Sequence, residues 1–146
     1  MKKKKKKISI EITSSKHLIC VLKLNSKDAI FLVDTGASNS CFDILKKDKY
    51  NLQSRGVEVE LTSAAEKKLG AISSDNCKLI FNPQKGIDIK LMLIDMSTIN
   101  GALREQKEKE IDGILGSDIL NEIKAKIDYE NLSIDFPSTA EKILLR

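Results

Sequence analysis

The sequence has no tryptophan, and aromatic residues make up only 4% of its 146 residues. Core volume must therefore come from isoleucine, leucine and valine, and the β-branched pair favours strands. His17 is the only histidine, and Cys20, Cys41 and Cys77 are widely spaced, with no Cys-x-x-Cys pair. That leaves no ligand set for a Cys/His zinc site. In their apolar settings the three cysteines read as small buried hydrophobes in a reducing compartment. No stretch approaches the ~18 apolar residues of a membrane span. The basic start is not followed by the continuous apolar run of ~7–15 residues that a secretory signal needs. Ile8-Ser9-Ile10-Glu11-Ile12-Thr13 alternates instead, which is strand patterning. The simplest location is the cytoplasm.

What is present suits one compact domain: 41% hydrophobic residues and 32% charged ones. The apolar share is too high for wholesale disorder. The net charge of +4 is misleading, because setting aside the six lysines Lys2–Lys7 leaves −2. The folded body is therefore not a basic nucleic-acid surface, and no specific nucleic-acid partner is expected. Residues 1–7 read as a solvated, disordered lysine-rich head rather than an anchor for an anionic partner.

Along the chain, Ile8–Ile12 and His17–Leu24 read as strands. Asn25-Ser26-Lys27-Asp28 is a turn cluster, and Ala29–Val33 is an apolar strand running into Asp34. Ser40–Leu45 reads as a short strand or a helical turn, and Lys46–Ser54 as a polar surface connection. Val57–Thr62 alternates as a strand with one wet face. Ala64–Lys68 fits a hairpin tip, with Leu69–Ser73 returning. Cys77–Phe81 is a strand, Asn82–Gly86 a turn, and Ile87–Ile94 a long apolar strand. Ser97–Glu110 is a loop or a short exposed helix. Ile111–Leu115 is apolar. Ser117 is a helix cap, and Ile119, Leu120 and Ile123 have helical spacing, so a helix is expected over about Asp118–Lys124. Ala125–Tyr129 and Leu132–Phe136 form a hairpin that Pro137 ends. Many short strands and no strand–helix alternation predict an all-β barrel or sandwich with one short helix near the C-terminus.

Asp34-Thr35-Gly36 carries the chemistry. A strand end holds a carboxylate, a hydroxyl residue can lock it, and a glycine permits a tight turn beside it. Aspartic peptidases need two such carboxylates about one water, sharing a single proton. Leu32-Val33-Asp34-Thr35-Gly36-Ala37-Ser38 resembles the active-site loop of the retropepsin-like aspartic protease family. The family's second mark, two apolar residues and a glycine before a short helix, is matched by Ile114-Leu115-Gly116 with Ser117-Asp118-Ile119-Leu120. Lys126–Tyr129 and Leu132–Phe136 are similar to the closing hairpin of bacterial members. The resemblance implies a retropepsin-like acid-protease barrel over residues 8–137. It also implies Asp34 as catalytic residue, with Thr35, Gly36, Ala37 and Ser38 as loop support.

No second loop of this kind exists in the chain. Asp95 has no glycine after it, Asp112-Gly113 lacks the hydroxyl residue, and Asp128 and Asp135 are followed by bulky aromatics. One loop and two required carboxylates imply a homodimer with isologous symmetry. The resemblance implies a peptide or protein substrate lying extended across both subunits, with no metal and no organic cofactor. It also implies a hairpin lid, for which Val57–Ile72 is the candidate, its tip at Ala64, Ala65, Glu66, Lys67 and Lys68. Residues 138–146 are a tail or a dimer-interface strand. The rival expectation is a catalytically inactive peptide-binding or dimerisation module on the same fold.

Overall fold

The computed structural model describes residues 5–58, 72–74, 76–82 and 85–137. The candidate lid tip at 64–68 and the tail from residue 138 lie outside the described residues. Thirteen strands are described: β1 (Lys5–Ser9), β2 (Glu11–Ile12), β3 (Leu18–Leu24), β4 (Lys27–Val33), β5 (Cys41–Asp43), β6 (Ser54–Glu58), β7 (Ile72–Ser74), β8 (Cys77–Asn82), β9 (Lys85–Ile89), β10 (Met92–Ile94), β11 (Gly113–Leu115), β12 (Lys126–Asp128) and β13 (Ser133–Pro137). A 3-10 turn covers Ile44–Lys46, and two short helices are α1 (Ser97–Glu105) and α2 (Ser117–Glu122). The class is all-β, as the strand-rich sequence predicts.

The large sheet runs β6-β7-β10-β5-β11-β4-β3-β8-β9, with β2 added to β3; a second sheet runs β1-β13-β12. The main core lies between them. Leu22, Leu24, Phe31 and Leu79 of the large sheet share it with Ile8, Ile134 and Phe136 of the small one. Alternation along β3 sends Leu18, Cys20, Leu22 and Leu24 into this core and Ile19 to the opposite face. There Ile19 joins Cys41, Met96 and Ile111, with Leu103 of α1 against them. The opposite face is covered only in part, at Ile19, Ile30 and Leu32, and leaves Val21 of the apolar β3 run 57% exposed.

The β3–β4 turn is tighter than the four polar residues suggest. Only Asn25 and Ser26 form it, with φ of 48° and 74°. Positive φ at both central residues is the type I′ geometry, whose twist matches the flanking strands. Lys27 and Asp28 therefore join the ladder, and Asp28 pairs with Lys23 at 3.0 Å.

Other expectations are corrected. Lys5–Lys7 do not belong to a disordered head, because they pair with β13, Lys6 opposite Phe136. Ladder bonds are made by backbone alone, and lysine suits an edge strand. The long strand over 87–94 is two strands, since β9 pairs with β8 while β10 pairs with β5 and β7. Leu91 is fully buried between them; its carbonyl accepts from Ser74 N and its N–H donates to Ser74 Oγ. The connection over 46–54 is not simply surface. Tyr50 is 2% exposed, stacks edge-on against Phe42 at 4.9 Å and donates its hydroxyl to Asp28 O. Of the segment over 97–110, open between loop and helix, Ser97–Glu105 forms α1 and the rest is irregular.

Cys20, Cys41 and Cys77 are free and buried. Burial pushes their thiols up, to about 12 for Cys20 and about 11 for the other two. The thiolate is the reactive form. In native protein at pH 8, a thiol-specific chromogenic reagent should therefore label none of the three, and all three after denaturation. Rapid labelling of native protein would contradict this burial. Gly113 is boxed in as well: a Cβ there would lie 2.7 Å from both Cys41 O and the Phe31 ring. Gly113→Ala should cost about 1–3 kcal/mol of stability, read from the urea midpoint.

Candidate active site

Asp34 directly follows β4, and β11 determines where it sits. β11 runs parallel to β4, with Ile114 opposite Leu32 and Leu115 opposite Val33, and antiparallel to β5. It thus separates two strands that follow each other in sequence. The Asp34 N–H donates to Leu115 O at 3.0 Å, carrying the ladder one residue past the strand. The chain then turns. Ala37 N donates to Asp34 O at 3.1 Å, and Gly36 N donates to Asp34 Oδ1 at 2.9 Å. The half-buried carboxylate is therefore held by its own loop. A Cβ on Gly36 would come within 3.3 Å of that Oδ1, so glycine allows the close approach. Thr35 and Ser38 are exposed, and Ala37 is half-buried.

The second motif braces this loop from behind. A Cβ on Gly116 would stand 2.6 Å from Ala37 O. Gly116 N donates to Ser40 Oγ at 2.8 Å, and Ser40 Oγ donates to Asp118 Oδ1 at 2.6 Å. Ser40 N donates to Asp118 Oδ2 at 3.0 Å. Ser117 is not the helix cap, a position that Gly116 takes. Instead Ser117 gives both its N–H (2.7 Å) and its hydroxyl (3.1 Å) to Ala37 O. Sequence reasoning misses Ser40 and Asp118 as a supporting pair. They are 78 positions apart, and no local pattern links them. The entry to β11 is anchored by Asn100, 4% exposed, which exchanges two bonds with the Ile111 backbone at 3.0 and 2.8 Å.

The four aspartates set aside as second-loop candidates are occupied elsewhere. Asp112 accepts from Ile30 N and Lys46 Nζ. Asp95 accepts from the Ser97 hydroxyl and amide, and Asp128 from the Asn131 amide and side chain. These bonds hold both carboxyls below their usual range. Asp135 accepts from Ser133 Oγ.

A cleft of about 380 Å³ opens beside Asp34. Leu18, Val33 and Ile127 give it apolar walls, and Tyr129, 63% exposed, stands at its edge. Lys16 and His17 line it too, from the tip joining β2 to β3. Glu108, just past α1, grips that tip. Its Oε1 accepts from Ser14 Oγ (2.8 Å) and Ser15 N (2.6 Å), and its Oε2 from Ser15 Oγ (2.6 Å). The Ser15 and Ser14 hydroxyls bring the Glu108 carboxyl down to about 2.

No family model matches the sequence, and no curated protein matches it. Solved structures do. A retropepsin-like aspartic protease from Rickettsia conorii superposes with a TM-score of 0.58 at 20% identity, over 93% of this chain and 95% of that one. EIAV protease, complexed with the inhibitor HBY-793, gives 0.53 at 16% identity, over 81% and 98%. The retroviral protease-like domain of Ddi1 from Leishmania major gives 0.53 at 17%, over 82% and 93%. This chain has the retropepsin-like fold.

The Glu108 grip has a definite pH signature. Its folded value lies below the ordinary 4.5, so its contribution is fully present above about 4.5 and is lost as pH falls through about 2. A carboxyl-carbon NMR titration should place Glu108 near the lower limit. A midpoint at an ordinary glutamate value would mean that the grip does not form in solution.

Proposed function

We propose that this chain is one subunit of a homodimeric aspartic endopeptidase in which Asp34 of each subunit supplies one carboxylate. The observation that carries this reading is the Asp34 loop itself. An aspartate at a strand end is tied to the Leu115 carbonyl through its backbone and to the Gly36 N–H through its side chain, and opens onto a cleft. Among the described residues, it is the one carboxylate lining that cleft. A chemistry that needs two is completed by a second copy across a two-fold axis.

Two carboxylates this close share one proton and titrate as a pair. The ionised Asp34 takes a proton from the water between them as the water oxygen attacks the scissile carbonyl. The protonated Asp34 of the partner subunit gives its proton to the carbonyl oxygen, forming a gem-diol. Return of a proton to the amide nitrogen then breaks the C–N bond. As that bond breaks, a gem-diol hydroxyl gives its proton to the ionised carboxylate of the pair, so each step moves two protons, the pair again holds one, and the sum is one water consumed per peptide bond. No metal or organic cofactor takes part. Braced from both ends, the loop presents the carboxylate in one orientation, which is the preorganisation that such a step rewards. The substrate lies extended across both subunits, read by side-chain pockets. Residues 57–72 would serve as the lid, residues 138–146 as a tail or a dimer-interface strand, and the cytoplasm as the place of action.

Asp34→Asn should leave dimerisation intact and lower peptide cleavage by about 10²–10⁴-fold or more. New peptide termini are counted by mass spectrometry across a broad pH range. Wild-type activity per chain should rise with protein concentration in step with the dimer fraction from sedimentation. Cleavage by the Asp34→Asn variant at the wild-type rate would sink the assignment. Peptide binding by the wild type without any cleavage would identify an inactive binding module instead.

A further inference from the structure

We propose that the β2–β3 hairpin tip is a cationic selectivity rim on the Asp34 cleft. It favours peptide substrates that carry a carboxylate side chain close to the bond being cut. The inference rests on the peptidase reading above and deepens it.

The tip is a built structure. Thr13 N donates to His17 O at 2.8 Å, and Lys16 N donates to Thr13 O at 2.9 Å. Ser14, Ser15 and Lys16 thus form a three-residue hairpin loop, closed by Lys16 in the left-handed region at φ 72°. His17 N also donates to Thr13 Oγ1, at 3.1 Å. The Glu108 grip ties the tip to the chain beyond α1, more than ninety positions away.

Proton counting then assigns the histidine tautomer. The Ser15 hydroxyl has one hydrogen, and it goes to the ionised Glu108. Ser15 Oγ lies 2.8 Å from His17 Nδ1, so it must accept there, and Nδ1 carries the hydrogen. Nε2 is left as the ring nitrogen available to a ligand. A neutral ring accepts through Nε2 from a carboxylic acid, and a protonated ring donates through it to a carboxylate. Either way, one shared proton joins His17 to a carboxyl group. Lys16 adds a fixed positive charge at the same rim.

Charge and shape choose the occupant. The groups facing the rim are Lys16, His17, Asp34, Tyr129 and, behind the tip, Glu108. Glu108 is engaged by three donors, and the paired Asp34 carboxylates share a proton. Leu18, Val33 and Ile127 offer apolar wall to methylenes. A glutamate side chain matches both parts: its stem suits the wall and its head suits the rim.

The test uses peptide sets identical except for Glu, Gln or Lys at each position flanking the cut. Wild-type protein should show kcat/KM about tenfold higher for a Glu peptide than for its Gln isostere. The double variant Lys16→Asn, His17→Gln should lose that preference; asparagine tolerates the left-handed backbone of position 16. The same peptides are measured by fluorescence anisotropy on the Asp34→Asn variant, which reads selectivity without cleavage. Equal handling of Glu and Gln peptides in both assays overturns the rim. So does a double variant that shifts dimer dissociation while keeping the Glu preference, because the tip would then belong to the subunit contact. If the Asp34→Asn variant prefers Glu peptides while the wild type cleaves nothing, the rim stands and the peptidase reading fails.

Discussion

The insertion of β11 between β4 and β5 is the constraint on which the candidate site depends. β4 and β5 are joined by the Asp34 loop, and a short loop between neighbouring strands would ordinarily make a hairpin. Here a strand from about eighty residues downstream takes the place between them. The loop must therefore bridge the width of a strand. Its amides cannot bond across a hairpin ladder, so they turn to Leu115 and to Asp34 itself. The carboxylate is oriented because it is the acceptor that the Gly36 N–H finds.

The insertion needs room, and glycine supplies it twice. Gly113 lies against Phe31, Phe42 and the Cys41 carbonyl, and Gly116 lies against the Ala37 carbonyl. Between them Ile114 and Leu115 carry the ladder. Asn100 fixes the strand's entrance, and the Ser40–Asp118 pair fixes its exit. Among the described residues, no buried side-chain polar atom is left without a partner. Such a network is rigid because every member is satisfied.

The same topology assembles the surroundings of Asp34 from distant parts. The cleft draws on the β2–β3 tip, the end of β4 and β12. One of these contributors is itself held from afar, the tip by Glu108, whereas β12 is held by its hairpin neighbour β13. The charged rim is thus positioned by a contact that no single segment contains.

Some of this was legible in the residues. The all-β class followed from alternation and from apolar runs bounded by turn residues. Asp34-Thr35-Gly36 was visible because a carboxylate at a strand end beside a tight turn calls for glycine, and Ile114-Leu115-Gly116 because it resembles the second mark of the retropepsin-like family. The absence of a second such loop was equally plain. The split of residues 87–94 was not legible, since an apolar run looks the same whether one strand or two bury it. Neither was the pairing of Lys5–Lys7, because backbone ladders leave little mark on composition. The tertiary structure alone decided that Ser40 meets Asp118, that Glu108 grips the hairpin tip, and that Lys16 and His17 share a cleft with Asp34. The first two are meetings between residues 78 to 94 positions apart, brought about by sheet order. A sequence records which groups are present and what each needs locally; the partner that meets the need is chosen by the fold.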